Sequence, residues 1–599
     1  MDLAKVHVFL SRVSLRRYRQ AFYWRNTITS TNRGTLQPPG GFAPLNLDAL
    51  PAISLNEIDY NTPALRLLTW LNSTALQPIH KASRGLDSEI PFLDIIRVYL
   101  LRQASPFFRR SLLTDLWQQT VSPQFVTIWI SSLWFRLLMD PTKKHRRLIY
   151  IPSSHPLRRL QRKFQKKHTR THATSSDGTR GATQKIPSQP TLMVFNQDDT
   201  YSNLYRYDHL YSSDPQSPLH PDNVDHLSRL GGTLSSGQYS FPYPTIKSRR
   251  KLLSAQLKMF ISLLMGTRKV PYILLWEIAL FRTRSQQLAS EIKSSFPQAK
   301  VACIIFDLQT PPELIFAFEL AGIKTVALQE RIDSSFEIHM PYAINTLLTA
   351  SPYFAKRARD SPAIAVSTVA PVGMWRTDLL LERKGLEISD ICPSTHDGII
   401  HIAPYGLDPS PEHSLELSAL ALEGFLHDIL KTSMLWPNFM FVIRGKDNTW
   451  THHPDLSTTL ELLQSRANIL IDQEYGEIQR SYRILAHSTL LIANYSSLVD
   501  EALSVRTPVV IRDFGGNVGP LRNSIMDYLP AGLIATDSPD FHSKVNAILS
   551  DGGDAFRKWW EPHRQHLYGD FSDGLVRSRA RTAIEQMFGE LSTMHPPTN

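Results

Sequence analysis

The chain has 599 residues, which exceeds the size of a single hydrophobic core and predicts two or three domains. Its 42% hydrophobic and 20% charged residues are typical of a soluble globular protein. The two cysteines, Cys303 and Cys392, are too few for a disulfide framework or a cysteine-based metal site.

The formal net charge of +11 is concentrated in one segment, residues 143–185, which holds thirteen Lys or Arg and one acid, Asp177. Two interpretations stay open: a solvated loop, or attraction to an anionic membrane surface or polymer. Nucleic acid is not an expected partner, because no zinc-finger spacing, RNA-binding signature or aromatic-interleaved basic patch accompanies the charge.

Membrane insertion and secretion are not expected. The first residues lack the apolar core of a signal peptide. The most apolar long window, residues 259–281, is interrupted by Arg268, Lys269 and Glu277. We therefore expect a cytoplasmic protein, with peripheral attachment to the inner membrane face through residues 143–185 as an open alternative.

The N-terminal third shows weak periodicity. Residues 1–85 are predicted to be an irregular lead-in, with one strand near residues 6–10 and one helix near residues 63–71. Two further stretches are predicted to be irregular. The first is the basic loop 143–190, whose polar part at residues 166–191 cannot supply a packed core, and the second is an insert, residues 196–250. Such an insert is either an acceptor-binding or lid element or an addition without a function.

Short apolar runs alternate with helical patterns from Lys300 onward, which predicts a parallel doubly wound sheet. After a charged hinge that begins at Lys384, a second alternation starts at Ile399. We predict an N-terminal Rossmann-like acceptor domain, a C-terminal Rossmann-like donor domain, and terminal helices that pack back toward the N-terminal domain. Their ranges are 86–383, 384–550 and 551–599.

The stretch Ser488–Ile511 predicts one strand–turn–helix–strand unit. Ser496 and Ser497 stand at the start of its helix, where free N–H groups and the helix dipole favour phosphate. Asp500 and Glu501 follow within the first turns, where a carboxylate could bind a ribose. The alternative stays open that Ser496 only caps the helix and Glu501 is a solvated surface acid.

Four motifs in this order resemble the CDP-glycerol glycerophosphotransferases and the capsule and teichoic-type polysaccharide enzymes, a group of GT-B glycosyltransferases. They are GMWRTD at 373–378, FVIR at 441–444, NYSS at 494–497 and DGLVRSR at 573–579. The resemblance covers about residues 300 to 590. It implies a GT-B fold, with two Rossmann-like doubly wound parallel-sheet domains facing each other across a cleft.

The chain departs from this group at two places. Gln329-Glu330-Arg331 stands where the group often has Gln-His-Gly, and Arg444-Gly445-Lys446 is not followed directly by His-Pro. A role carried over from the missing histidine is therefore not expected here.

The resemblance implies metal-independent transfer, in which a helix dipole and basic side chains neutralise the leaving diphosphate. Neither a metal site nor a cofactor is expected. Ser496, Ser497, Arg444 and Lys446 would bind phosphate, although the two basic residues could equally form a surface pair. Glu501, or less favourably Asp500, would hold the ribose.

The catalytic base would come from the N-terminal domain. Glu330 and Asp307 follow predicted strands and are the two candidates, with Asp333 as a third. Each could instead be a loop carboxylate that caps a helix or pairs with Arg331.

Three functions are compatible with these features. The first is a glycosyl or polyol-phosphate transferase that uses a nucleotide-activated donor and a glycan or lipid-linked acceptor in surface polysaccharide synthesis. The second is an enzyme like the non-hydrolysing UDP-sugar 2-epimerases, against which the long lead-in and the inserts argue. The third is a catalytically inactive GT-B module that binds a glycan or a partner.

Overall fold

The computed structural model describes the chain in separate segments. The described residues are 6–9, 27–29, 42–44, 61–104, 126–130, 146–150, 191–195, 213–214, 217, 219, 224–226, 246–265, 270–304, 310–329, 332, 341–374, 376–393, 395–404, 419–445, 448–474, 478–494, 496–515, 518–520 and 526–594.

The described strands fall into three parallel sheets and one short antiparallel pair. In chain order they are β1 (Val6–Phe9), β2 (Thr27–Thr29), β3 (Phe42–Pro44), β4 (Val126–Ile130), β5 (Arg146–Tyr150), β6 (Thr191–Phe195), β7 (Val224–His226), β8 (Ala299–Ile304), β9 (Lys324–Leu328), β10 (Tyr342–Thr349), β11 (Ile364–Pro371), β12 (Gly398–Ala403), β13 (Phe439–Ile443), β14 (Ile469–Ile471), β15 (Ser488–Ala493), β16 (Val509–Arg512), β17 (Phe514–Gly515), β18 (Val518–Pro520) and β19 (Ile534–Ala535).

The helices of the described residues connect or flank these strands. They are α1 (Asn61–Trp70), α2 (Leu76–Ser83), α3 (92–104), α4 (Ile246–Leu264), α5 (Tyr272–Ser295), α6 (Pro312–Leu320), α7 (Pro352–Asp360), α8 (Thr377–Arg383), α9 (Ala419–Leu435), α10 (Ser457–Gln464), α11 (Ile478–Ala486), α12 (Leu498–Ser504), α13 (Ser538–Ser550), α14 (Asp554–Leu567) and α15 (Val576–Met594). A π-helical turn, Leu71–Ala75, joins α1 to α2, and 3-10 turns lie at Thr449–His452, Pro454–Leu456 and Ala531–Leu533.

The chain divides into two compact units. The first comprises Met1–Pro51 and Ala104–Ser188, and its five parallel strands have the order β3-β2-β1-β4-β5. Strand β5 lies inside residues 143–190, which were predicted to be a loop. Residues 1–85 were predicted to be an irregular lead-in with one strand near residues 6–10 and one helix near residues 63–71. The helix is α1, but the described residues of this range contain three strands, β1, β2 and β3. Each is only three or four residues long, and β1 pairs with β4 more than a hundred positions away, so local periodicity does not reveal the sheet.

The second unit, Ala52–Gln103 with Gln189–Asn599, contains two six-stranded sheets whose strands are all parallel. The first has the order β11-β10-β9-β8-β6-β7, and the second has the order β14-β13-β12-β15-β16-β19. The predicted fold class, two doubly wound parallel sheets with helices, is confirmed. Both sheets have nearly continuous apolar strands because helices cover both of their faces. Strand β10, for example, is buried at every position.

One hydrophobic cluster joins elements of the two six-stranded sheets. It packs Phe354 of α7 and Leu380 of α8 against Leu491 of β15, with Trp560 of α14 in the same cluster. A second cluster places α15, through Val576 and neighbouring residues, on the strands of the first six-stranded sheet. The last helix, α15, therefore lies against the first six-stranded sheet.

Candidate functional site

The second six-stranded sheet reverses its winding direction between β12 and β15. From β12 the chain adds β13 and β14 on one side, then returns to place β15, β16 and β19 on the other side. The carboxyl ends of the two central strands are level, because Ala403 pairs with Ala493. In open α/β sheets, ligands bind in the crevice outside the strand ends at such a reversal. This end of the sheet is the candidate site.

Asn494 is the first residue after β15, and its side chain is buried. Its Oδ1 atom accepts no hydrogen bond from the residues that the structure describes. Leaving a buried acceptor unpaired costs about 1 to 3 kcal/mol. The position therefore favours a hydrogen-bond donor from outside the described residues. In the sequence, Asn494 stands out only as part of the NYSS motif, and its burial at the strand end is the signal that identifies it.

Ser496 and Ser497 lie at the start of α12, and both are partly exposed. Ser497 occupies the N-cap position without a side-chain capping bond, whereas the Oγ of Ser496 accepts a hydrogen bond of 3.3 Å from the Leu498 amide. Ser496 therefore closes a local turn one residue before the cap. The contact of Ser496 and Ser497 with phosphate stays a prediction.

Asp500 is fully buried in α12 and lies between two tyrosines. The hydroxyl of Tyr568 donates to its Oδ1 at 2.6 Å, and that of Tyr528 donates to its Oδ2 at 2.8 Å. Burial, with the Asp500 charge and hydrogen bond, holds the pKa of Tyr568 well above its usual value. The Asp500 carboxylate thus connects α12 by hydrogen bonds to the two segments that contain Tyr528 and Tyr568.

Glu501 has an exposed fraction of only 1%, so it is not the solvated surface acid of the alternative interpretation. Arg376 Nη1 lies 3.3 Å from its Oε1 and also donates to the Tyr482 hydroxyl at 3.1 Å. Arg376 follows β11 of the first six-stranded sheet, and Glu501 lies in the helix after β15 of the second. This ion pair therefore joins the carboxyl-end sides of the two sheets.

Arg444 follows β13 and is buried, so the alternative of a surface pair is wrong for this residue. Its Nη1 lies 2.5 Å from Asp472 Oδ2, and its Nε donates to Ser481 Oγ at 2.7 Å. Arg480 reaches the same Asp472 carboxylate at 3.1 Å. Asp472 thus balances the positive charge of Arg444 at the end of β13. The predicted binding of Arg444 to phosphate stays a prediction.

His401 lies in β12 beside this network and is completely buried. Neither ring nitrogen has a hydrogen-bond partner among the described residues. Burial, reinforced by the Arg444 charge and opposed by Asp472, lowers the pKa of His401 to about 3. The imidazole is therefore neutral at physiological pH.

The first and last of the four sequence motifs are in contact. Asp378 accepts hydrogen bonds from the Val576 and Arg577 amides at 3.3 and 2.9 Å, which caps the start of α15. Gly373 has a φ of 113°, and a Cβ there would lie 2.5 Å from both the Phe571 carbonyl oxygen and Val576 Cγ2. These residues form a structural junction between the end of β11 and the C-terminal helix.

Four predicted residues lie outside the described part of the chain: Glu330, Asp307, Asp333 and Lys446. Their roles stay predictions. Among the described residues, no group of three or more His, Cys, Asp or Glu is arranged to hold a metal ion. No described helix has the length and apolar character needed to cross a bilayer.

No protein-family model and no curated protein matches the chain. Solved structures with a similar architecture include UDP-GlcNAc 2-epimerase from Neisseria meningitidis bound to UDP-GlcNAc, at 12% identity and a TM-score of 0.37, with 66% of this chain and 99% of that chain covered. A putative UDP-N-acetylglucosamine 2-epimerase from Listeria monocytogenes gives 10% identity and a TM-score of 0.40, with coverages of 67% and 98%.

The wall teichoic acid polymerase TagF is also similar, at 13% identity and a TM-score of 0.37, with 67% of this chain and 90% of that chain covered. The structural neighbours thus include both classes that the sequence analysis considered. TM-scores of this size support no inference about what this chain binds or does.

Proposed function

We propose that the chain transfers a glycosyl or polyol-phosphate group from a nucleotide-activated donor to a polysaccharide or lipid-linked glycan acceptor in cell-surface polysaccharide synthesis. The observation that carries the proposal is the reversal point between β12 and β15, which is followed directly by Asn494, Ser496 and Ser497. A buried amide oxygen and two hydroxyls at the carboxyl end of a parallel sheet are suited to a polar, phosphate-containing ligand.

Each donor-site residue has a proposed role in this reaction. Ser496 and Ser497 bind the diphosphate on one side, and the cations Arg444 and Lys446 bind it on the other. Glu501 is the better ribose ligand of the two acids, because both oxygens of Asp500 already accept a tyrosine hydrogen bond. Glu330 or Asp307 is the base that takes the acceptor proton.

The proposed transfer is metal-independent, because hydrogen-bond donors and basic side chains stabilise the leaving nucleotide. The acceptor binds on the side of the first six-stranded sheet. A cytoplasmic location, with contact between residues 143–185 and the inner membrane face, belongs to the same proposal.

Donor turnover tests this proposal. The full chain is incubated with CDP-glycerol and with UDP- and GDP-sugars, with and without a lipid-linked glycan primer, and nucleotide release and acceptor mass are measured. We expect one donor to be consumed only when the primer is present, and the acceptor to gain one transferred group. Ser496→Ala should slow turnover about tenfold, because it removes one hydrogen bond to a charged group.

Ser465→Ala is the matched control, since its hydroxyl is exposed directly after α10 and bonds only the local Leu462 carbonyl among the contacts described. Conversion of the sugar without net nucleotide release would instead indicate an epimerase. Failure of every donor to react, with the protein folded, would contradict the proposal and favour an inactive binding module.

A further inference from the structure

Helix α4 (Ile246–Leu264) exposes a row of large apolar side chains. Leu253, Leu257, Ile261 and Met265, here called the α4 stripe, are exposed by 56%, 48%, 46% and 82%. Residues four apart lie on one face of a helix, and Met265 directly follows the last helical turn. The α4 stripe is therefore a continuous apolar surface.

The opposite side of α4 is attached to the protein. Leu263 is fully buried, and Phe260 packs edge-to-face on Trp276 of α5 with 5.5 Å between ring centroids. The Lys81 ammonium donates to the Ser262 carbonyl. These contacts fix the orientation of α4, so that the α4 stripe faces solvent.

The charge of α4 has one sign only. Residues 246–264 contain five Lys or Arg and no Asp or Glu. Lys251 and Lys258 are exposed, and helical geometry places them on the border of the α4 stripe. An apolar face bordered by basic residues is the pattern of helices that lie in the plane of a membrane interface.

We propose that α4 docks on an anionic lipid surface, with the α4 stripe inserted among the acyl chains and Lys251 and Lys258 at the level of the headgroups. Charge complementarity favours lipid over a protein partner, because an anionic bilayer offers a continuous negative surface to a helix without acids. The inference does not depend on the proposed transfer reaction. It adds a described helix as a membrane contact, separate from the proposed contact of residues 143–185.

Vesicle sedimentation of the full chain tests this inference. One set of vesicles contains phosphatidylcholine alone, and the other contains equal parts of phosphatidylcholine and phosphatidylglycerol. We expect sedimentation with the anionic vesicles, weakened about fivefold for each of Lys251→Gln and Lys258→Gln. The double variant Leu257→Glu with Ile261→Glu should lower the partition coefficient at least about tenfold.

Leu462→Glu is the matched control, because Leu462 is 45% exposed on a different helix, α10. It should sediment as the unaltered chain does. A fourfold variant changes Arg162, Lys163, Lys166 and Lys167 of the basic segment to Gln. In this background, Leu257→Glu with Ile261→Glu should still reduce sedimentation with anionic vesicles.

Three results would overturn the inference. The unaltered chain could remain in the supernatant with anionic vesicles, or the Leu257→Glu and Ile261→Glu variant could sediment as well as the unaltered chain. The third is a dimer, seen by size-exclusion chromatography with light scattering, that this variant converts to a monomer without any vesicle binding. That outcome would assign the α4 stripe to a second copy of the chain.

Discussion

At the residue scale, the second sheet buries polar side chains beside the end that carries the candidate site. His401 is neutral and without a hydrogen-bond partner among described residues, and Arg444 and Asp472 pair nearby. These groups fix the strand ends at some cost in stability, since buried polar groups need partners.

Acid should destabilise the protein through His401. The pKa of His401 is about 3 in the folded protein, against an ordinary value of 6.5. Between these two pH values the unfolded state therefore binds the proton more readily than the folded state. The contribution of neutral His401 to the free energy of unfolding is fully present above pH 6.5 and is lost as the pH falls toward 3. From pH 7 to pH 5 this one group should cost about 2 kcal/mol.

Urea unfolding of the unaltered chain and of His401→Leu between pH 7 and pH 5 measures this effect. The variant should show a shallower decline of unfolding free energy, by about 2 kcal/mol across the interval. Parallel declines would mean that His401 is not buried as a neutral base.

The sequence could identify the candidate residues around Ser496 but not their surroundings. Asp500 and Glu501 are neighbours in one short helix, and local sequence treats them alike. Their partners, Tyr568 for Asp500 and Arg376 for Glu501, lie 68 and 125 positions away. Burial and pairing therefore depend on tertiary contacts that no local pattern contains.

At the scale of elements, the turn after β11 joins the first six-stranded sheet to the C-terminal helix. The Arg579 guanidinium donates to the Val372 carbonyl at 3.3 Å, and Asp378 caps α15. The motifs at 373–378 and 573–579, which resemble a family pattern, are thus in contact in this fold and have a structural role.

Gly373→Ala should destabilise the chain by about 3 kcal/mol or more, because it combines a left-handed backbone with backbone and side-chain contacts at 2.5 Å. Gly385→Ala is the matched control, since a Cβ there meets nothing within 4 Å. Its effect should stay within about 0.5 kcal/mol. Equal unfolding midpoints of the two variants in a denaturant titration would contradict the close packing of α15 on this turn.

Long apolar runs made most strands of the two six-stranded sheets predictable. Strand β7 is an exception, because it lies in the insert 196–250 that was predicted to be irregular. Strands such as β10, with eight residues, and β12, with six, are long enough for a clear pattern. Strands β2 and β3 have three residues each, and the sheet that contains them joins segments separated by about a hundred residues. Such non-local pairing leaves no periodic signal in one sequence.

At the scale of the whole molecule, the second unit brings two doubly wound sheets together at their carboxyl-end sides. The Arg376–Glu501 pair and the cluster around Phe354 and Leu491 hold this arrangement. Because Glu501 takes part in both the junction and the proposed donor site, donor binding and the relative position of the two sheets should be coupled.

The central claim is that the reversal point at Asn494, Ser496 and Ser497 binds a nucleotide. Thermal unfolding with UDP, CDP and GDP, for the unaltered chain and for Ser496→Ala with Ser497→Ala, tests it most directly. One nucleotide at a hundred times its dissociation constant should add about 2.7 kcal/mol of stability. The double variant should lose most of that gain, while Ser465→Ala keeps it. If no nucleotide stabilises the unaltered chain at millimolar concentration, or if the double variant is stabilised equally, the donor site is not at this end of the sheet.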